Sequence, residues 1–335
     1  MTRSRLLWPL VALVALLVLN IAVEPSFVEL RIQDGHLFGS MIDILRNGAP
    51  TLLIAVGMTL VIATRGIDLS VGAVAAIAGA IACTYISGGG NAATAVLLAL
   101  SVCVLLGLWN GFLVSVLGIQ PIIATLVLMT AGRGGAMLLT EGQIVTVKDP
   151  LYRQIGSGFL VLPIAILISL AVLTAVALIT RRTALGMLIE AVGINPKAGE
   201  LAGVRSRTII WTVYVFAGLC AGVAGLMISS NVNAADANNA GLWIEMDAIL
   251  AVVIGGTSLA GGRYSLAGTM LGALVIQTLT TTVYTIGVPT NVTLIFKAVV
   301  VIAVCLLQSP RTARMLRARR KTAVPTSRSQ EVAAG

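Results

Sequence analysis

Charge is scarce in this sequence. Of 335 residues only 10% are Asp, Glu, Lys or Arg, where a soluble domain carries about 25%. That is too little to coat a water-soluble surface of this size. A single histidine, His36, cannot form a metal site alone. The four cysteines (Cys83, Cys103, Cys220, Cys305) lie in apolar runs without metal-ligand or disulfide spacing, so they read as small packing residues. There is no G-x4-G-K-[ST] phosphate loop, no H-E-x-x-H and no G-x-S-x-G. No paired carboxylates sit in a polar domain. The polar loops are too small to hold a catalytic domain, so the chain reads as no enzyme, with no cofactor of its own.

What is abundant is apolar. Hydrophobic residues make up 58% and the mean hydropathy is +1.00. A helix needs about 20 apolar residues to cross the hydrocarbon core. Candidate spans are Leu6–Val23, Ala49–Thr64, Ser70–Ile86, Ala92–Gly118, Pro121–Thr140, Phe159–Thr180, Ile209–Ser229, Asp247–Ala260, Leu266–Tyr284 and Asn291–Gln308. The expected fold is an all-α integral membrane protein of about ten transmembrane helices. Two spans, Ala49–Thr64 and Asp247–Ala260, are short. The first run follows Arg3 and Arg5 and reads as an uncleaved anchor, since no A-x-A site follows it.

Lys and Arg set the orientation. With the N-terminus inside, sixteen of the 22 basic residues fall inside and four outside (Arg31, Arg46, Lys148, Arg153), while Arg133 and Lys297 fall within spans. That asymmetry predicts N-in and C-in. The basic run Arg311–Lys321 then reads as a topology signal and headgroup contact, not a nucleic-acid surface. Residues 1–310 read as one transmembrane domain, and 311–335 as a basic cytoplasmic tail expected to be disordered.

One inside loop is long: Arg181–Thr208, with Gly186, Gly193, Pro196, Gly199 and Gly203 as breakers. Short helices fit at Leu185–Val192 and Lys197–Ala202. Their apolar residues need a surface, either the bilayer or a cytoplasmic partner. Outside, Glu24–Gly48, Glu141–Gly158 and Asn231–Trp243 are partner surfaces or plain connections. Three polar or Gly-rich clusters interrupt the apolar runs: Gly66–Gly72, Gly255–Arg263 and Ala131–Gly135. Non-helical backbone at membrane depth survives only where protein or water satisfies it, and such breaks often line a transporter's route. Short or broken helices are therefore expected near 64–72 and 247–263. Gly107-x3-Gly111, Gly218-x3-Gly222 and Gly268-x3-Gly272 allow close helix contact. A route for a neutral polar solute would use Asp68, Ser70, Asn110, Thr125, Thr257 and Gln277.

Three segments then carry a resemblance. Gly57-Met-Thr-Leu-Val-Ile-Ala-Thr-Arg-Gly-Ile-Asp-Leu-Ser-Val-Gly72, Ala191–Ala198 through Ala202-Gly203-Val204, and Glu245-Met-Asp-Ala-Ile-Leu-Ala-Val-Val-Ile-Gly-Gly-Thr-Ser-Leu-Ala-Gly-Gly262 resemble, in order, the signatures of ribose-type sugar ABC importer permeases. The match spans roughly residues 5–308. Gly199 replaces an Ala usual in the loop. Within that family the segment Arg31–Pro50 is similar to galactofuranose importer permeases, where ribose permeases have a shorter loop.

The resemblance implies a multi-pass protein of the bacterial inner membrane that imports galactofuranose or a similar monosaccharide by alternating access. It implies cytoplasmic ATPase subunits that bind ATP and Mg. These dock on the loop at 181–208 through Glu190, Gly193, Asn195, Pro196, Ala198 and Gly203. It also implies a periplasmic sugar-binding protein and a second permease subunit, identical or different.

Overall fold

The computed structural model describes residues 3–29, 31–33, 36–287, 292, 294–299 and 302. In chain order it has α1 (Arg3–Val23), β1 (Arg31–Gln33), β2 (His36–Phe38), α2 (Ser40–Ala63), α3 (Val71–Ser87), α4 (Ala92–Ser115), α5 (Pro121–Leu139) and β3 (Val145–Thr146). It continues with α6 (Pro150–Ser157), α7 (Ile164–Arg182), α8 (Leu185–Ile194), α9 (Pro196–Leu201), α10 (Ser206–Val232), β4 (Ala234–Ala235), α11 (Ile244–Ile254) and α12 (Leu266–Thr285). The molecule is predominantly helical. Among the described residues, two small antiparallel ribbons, β1–β2 and β3–β4, depart from an all-α expectation.

Many starts follow local chemistry. Asn91 caps α4 by accepting from Ala93 N at 2.7 Å. Asp149 accepts from Leu151 N and Tyr152 N at 2.8 and 2.9 Å, ahead of Pro150 at the first position of α6. Ser265 caps α12 through Gly268 N. Each supplies an acceptor to an amide that the helix cannot satisfy itself.

Among the described residues, seven helices are long and apolar enough to cross a membrane: α1, α2, α4, α5, α7, α10 and α12. α3 is shorter and α11 has 11 residues. The tenth expected span, Asn291–Gln308, lies largely outside the described residues, as does the basic tail. α1, α4, α5 and α7 turn large apolar side chains outward, among them Leu97, Leu105, Val127 and Leu178. Continuous apolar surface of this kind suits lipid and not water. The chain is a multi-pass membrane protein.

α10 is the central strut, packed on α4, α2 and α3. Its 27 residues make it about 40 Å long at 1.5 Å per residue. Against α4 the contact is backbone on backbone at two points. A Cβ on Gly107 would lie 2.8 Å from the Tyr214 carbonyl oxygen, and one on Gly218 would lie 2.7 Å from that of Cys103. The small-residue spacings at Gly107 and Gly218 therefore face each other across one seam. Gly268 and Gly272 do the same for α12 against α11, meeting Gly255 and Ala251.

Two expectations need correction. α5 runs unbroken through Ala131–Gly135, because Gly132 packs against Ala73 and Ile77 of α3 and holds the helix in register. α2 begins at Ser40, not Ala49, and carries Pro50 within it. The polar turn at 40–48 stays helical because Arg46 reaches across to the Gly156 carbonyl at 3.3 Å and to the Asn231 side chain. Asn231–Trp243, open between a partner surface and a plain connection, is packed in place. Ala235 and Ala237 are buried, and β4 pairs with β3.

Candidate functional site

α3 packs parallel to α10, with Ala75 against Gly225 and Gly79 against Ser229. By that register α3 starts opposite Ala221, about 22 Å along α10 from Ser206. The hydrocarbon layer is about 30 Å thick. The break at Gly66–Ser70 therefore climbs through the interior before helix resumes.

Four of the six sequence-predicted route residues meet at this break. Asp68 Oδ1 accepts from Ser70 N at 2.9 Å and from Ser70 Oγ at 2.6 Å. Asn110, on α4, donates from Nδ2 to Ser70 Oγ at 2.9 Å. Thr125, on α5, accepts from Leu69 N at 3.2 Å and donates to the carbonyl of Pro121 at 2.9 Å. All four are buried. The other two stand apart. Thr257 accepts from Ser265 N at 3.3 Å in the turn before α12. Gln277, on α12, lays its aliphatic stem on Gly48 of α2, with Cγ 3.1 Å from where a Cβ would stand.

The cluster contains a residue that sequence reasoning missed. Tyr214 of α10 is fully buried, and its hydroxyl presses on Gly66, where a Cβ would lie 2.5 Å away. Neither that hydroxyl nor Asn110 Oδ1 has a hydrogen-bond partner among the described residues. Two unfilled polar valences beside a carboxylate make this break unlike an ordinary turn, since each costs free energy when buried.

The second assembly sits at the Ser206 end of α10. α8 and α9 are joined by Asn195, which accepts from Ala198 N at 3.2 Å and so caps α9. Pro196 opens α9, and its carbonyl accepts from Ser206 Oγ at 3.0 Å. Gly203 turns the chain at φ +84°. Glu190 is half-buried on α8 and Ala198 is exposed. Gly193 has no room for any side chain, because a Cβ would strike the carbonyl of Ala63. That same carbonyl accepts from Gly262 N at 2.9 Å. Arg65, held at φ +65°, donates to the carbonyl of Ile194 at 2.5 Å. Both breaks and the α8–α9 pair therefore converge on one knot. Arg65 stands within the quoted Gly57–Gly72 segment, which was the available signal. Outward from the knot, Met187, Ile194 and Leu201 expose 69%, 60% and 91% of their surface.

At the opposite end a cavity of 490 Å³ is lined by Lys148, Asp149, Arg153, Gln154, Ser157 and Asn233, among others. Nearby, Arg133 does not face lipid unpaired. It donates to the carbonyls of Ala237 and Ala240 at 3.1 and 2.6 Å. Asp236 accepts from Asn239 Nδ2 at 2.8 Å. That bond, with those from the backbone amides of Asn238 and Asn239, holds its carboxyl below the usual carboxylate range.

Comparison with known proteins gives a consistent result. The family model described as "Branched-chain amino acid transport system / permease component" matches residues 40–305. The chain is 51% identical over 315 residues to the galactofuranose transporter permease protein YtfT of Escherichia coli K12, covering 92% of each. It is 43% identical to the fructose import permease protein FruF of Bifidobacterium longum, covering 92% of this chain and 88% of that one. It is 36% identical to the ribose import permease protein RbsC of Escherichia coli K12, covering 90% and 93%. No solved structure matches the chain. With the family signature covering most of its length and the broken helices in place, the chain belongs to this family of transport-system permease components.

Proposed function

We propose that this chain is the membrane-spanning permease subunit of an ATP-driven, binding-protein-dependent importer for galactofuranose or a similar monosaccharide. The observation that carries the reading is the α8–α9 pair. It presents Met187 and Leu201 outward while its other side is keyed to both breaks through Gly193 and Arg65. That is the arrangement needed to pass a push from a docked ATPase into the solute route. The relatives named for galactofuranose, fructose and ribose support a sugar. The family model's printed name concerns amino acids, which makes leucine the natural control solute.

In this reading the Ser206 end of α10 is cytoplasmic, the N- and C-termini lie inside, and ten spans cross the bacterial inner membrane. ATP and Mg bind in the partner ATPase. A periplasmic binding protein delivers sugar at the face holding the Lys148–Arg153 cavity. A second permease copy, identical or different, completes the route. Asp68, Ser70, Asn110, Thr125, Thr257 and Gln277 offer hydroxyl and amide contacts along it. Nucleic acid has no part.

The test is reconstitution. The co-purified complex is placed in vesicles with ATP and binding protein, and labelled galactose, fructose, ribose and leucine are offered. ATP-dependent accumulation of a sugar but not leucine is expected. Accumulation of leucine alone, or uptake that persists without the ATPase, overturns the reading.

A further inference from the structure

Two helices begin inside the membrane layer, and they begin at the same place. α3 starts opposite Ala221 of α10, as its register requires. α11 starts against α3. A side chain on Gly72, in the first turn of α3, would run into the Glu245 carboxylate and lie 3.4 Å from Ile244. Gly241 closes the same spot, 3.0 Å from the Gly72 carbonyl oxygen when a Cβ is built on it.

Neither helix start has a side-chain cap. Ser70 makes none for α3. Trp243, at φ +64°, makes none for α11. In α11 the first-turn amides of Ile244, Met246 and Asp247 are taken by the carbonyls of Gly241 and Trp243, so the amides open to a ligand are those at the start of α3, while the aligned peptide dipoles give both starts a partial positive charge.

Glu245 points into this meeting point. It is 4% exposed, and its Oε2 has no hydrogen-bond partner among the described residues. Arg133 lies within electrostatic reach, but its hydrogen bonds go to Ala237 and Ala240. A carboxylate oxygen left bare in a protein interior is costly, and a rival role as structural ion-pair partner is not realised in this geometry.

The chemistry of the spot selects its ligand. A cation meets two positive helix ends and Arg133. An anion meets the carboxylate. A neutral hydroxyl suits both, since it donates to Oε2 and accepts from a first-turn amide of α3. We propose that Glu245, with the starts of α3 and α11, forms a contact for one sugar hydroxyl part-way across the membrane. The inference rests on the sugar-permease reading and extends it to a site outside the Asp68 cluster.

The experiment uses the full reconstituted complex with ATPase and binding protein. Labelled D-galactose, D-fructose and D-ribose are offered, then monodeoxy analogues of whichever accumulates. The same binding protein serves every variant, so its own selectivity cancels between them. Wild type is expected to favour the parent sugar over one monodeoxy analogue by about tenfold or more, as a hydrogen bond to a charged group implies. Glu245→Met is expected to remove that preference and slow the parent sugar to the rate of the analogue. Membrane abundance and ATPase assembly are measured alongside as folding controls. If Glu245→Met fails to insert, Glu245→Gln is read in the same way, with the preference reduced. A variant that inserts and keeps both rate and preference overturns the proposal. Absence of accumulation of any of the three sugars by wild type overturns the sugar reading itself, and this inference with it.

Discussion

Arg65 donates to the carbonyl of Ile194 across 129 positions of sequence, tying the end of α2 to the last residue of α8. The bond is charge-assisted and lies at an exposed position between two helices that each bury one face. Bonds of this kind contribute about 1.5–3 kcal/mol. Replacing Arg65 with Met is expected to leave assembly with the ATPase intact and raise the ATP consumed per sugar moved. Lys at this position restores part of the coupling. An unchanged ratio of ATP to sugar in the Met variant removes Arg65 from the transmission.

Gly193 works by having no side chain. Gly193→Ala drives a methyl into the Ala63 carbonyl, which already accepts from Gly262. Overpacking of this sort costs about 1–3 kcal/mol, so the thermal midpoint in detergent should fall. A Trp here would wreck the knot and report nothing about docking. Leu201→Asp makes the cleaner docking probe, because Leu201 is 91% exposed. That variant should stay folded and lose its ATPase in pull-down. Full retention of the ATPase argues for a bilayer-surface role of α9 instead.

Lys297 and Asp247 form an ion pair at 2.7 Å, with side chains 12% and 23% exposed. Neither charge is comfortable alone at this depth. Lys297→Met or Asp247→Leu is expected to destabilise the protein toward the lower end of about 3–5 kcal/mol, because each strands its partner. The double variant should recover much of the loss. Thermal unfolding of the set forms a double-mutant cycle, and additive losses would mean that the pair carries no coupling.

Tyr214→Phe separates packing from transport. Its hydroxyl has no partner among the described residues, so removal should leave stability unchanged or raise it. Slower uptake with unchanged stability would place the hydroxyl on the solute route. A marked loss of stability would mean that the hydroxyl is satisfied in the membrane, for instance by water.

Gln277→Leu asks the same of α12. The stem contact with Gly48 survives this change and the amide does not. Lower uptake at equal abundance is expected, and identical uptake kinetics take Gln277 off the route.

Much of this was readable in the chain. The apolar runs set the helices, and Gly66 and Gly255–Gly262 marked two breaks where the structure has them. Pro196 and Gly203 bracketed α9 closely. The errors have physical causes. Ala131–Gly135 has the composition of a break, but Gly132 is there to let α3 approach. Ser40–Gly48 looks like loop because Asp43 and Arg46 are charged, yet Arg46 has partners only in the folded state, at Gly156 and Asn231. Four of the residues expected on the route meet because three elements cross at Ser70; the break pointed to Asp68 and Ser70, and side-chain polarity to Asn110 and Thr125. Tyr214 and Glu245 were missed for a different reason. Their distinguishing property is an unfilled hydrogen-bond valence, which no residue carries until its surroundings are fixed.

The seam between α4 and α10 has a mechanical consequence. Where two helices touch through main-chain atoms, no rotamer at that point can flip to relieve a shift. Gly107 against Tyr214 and Gly218 against Cys103 make such a joint. A shift of one helix against the other must break main-chain contact at both points, so the pair is expected to move together.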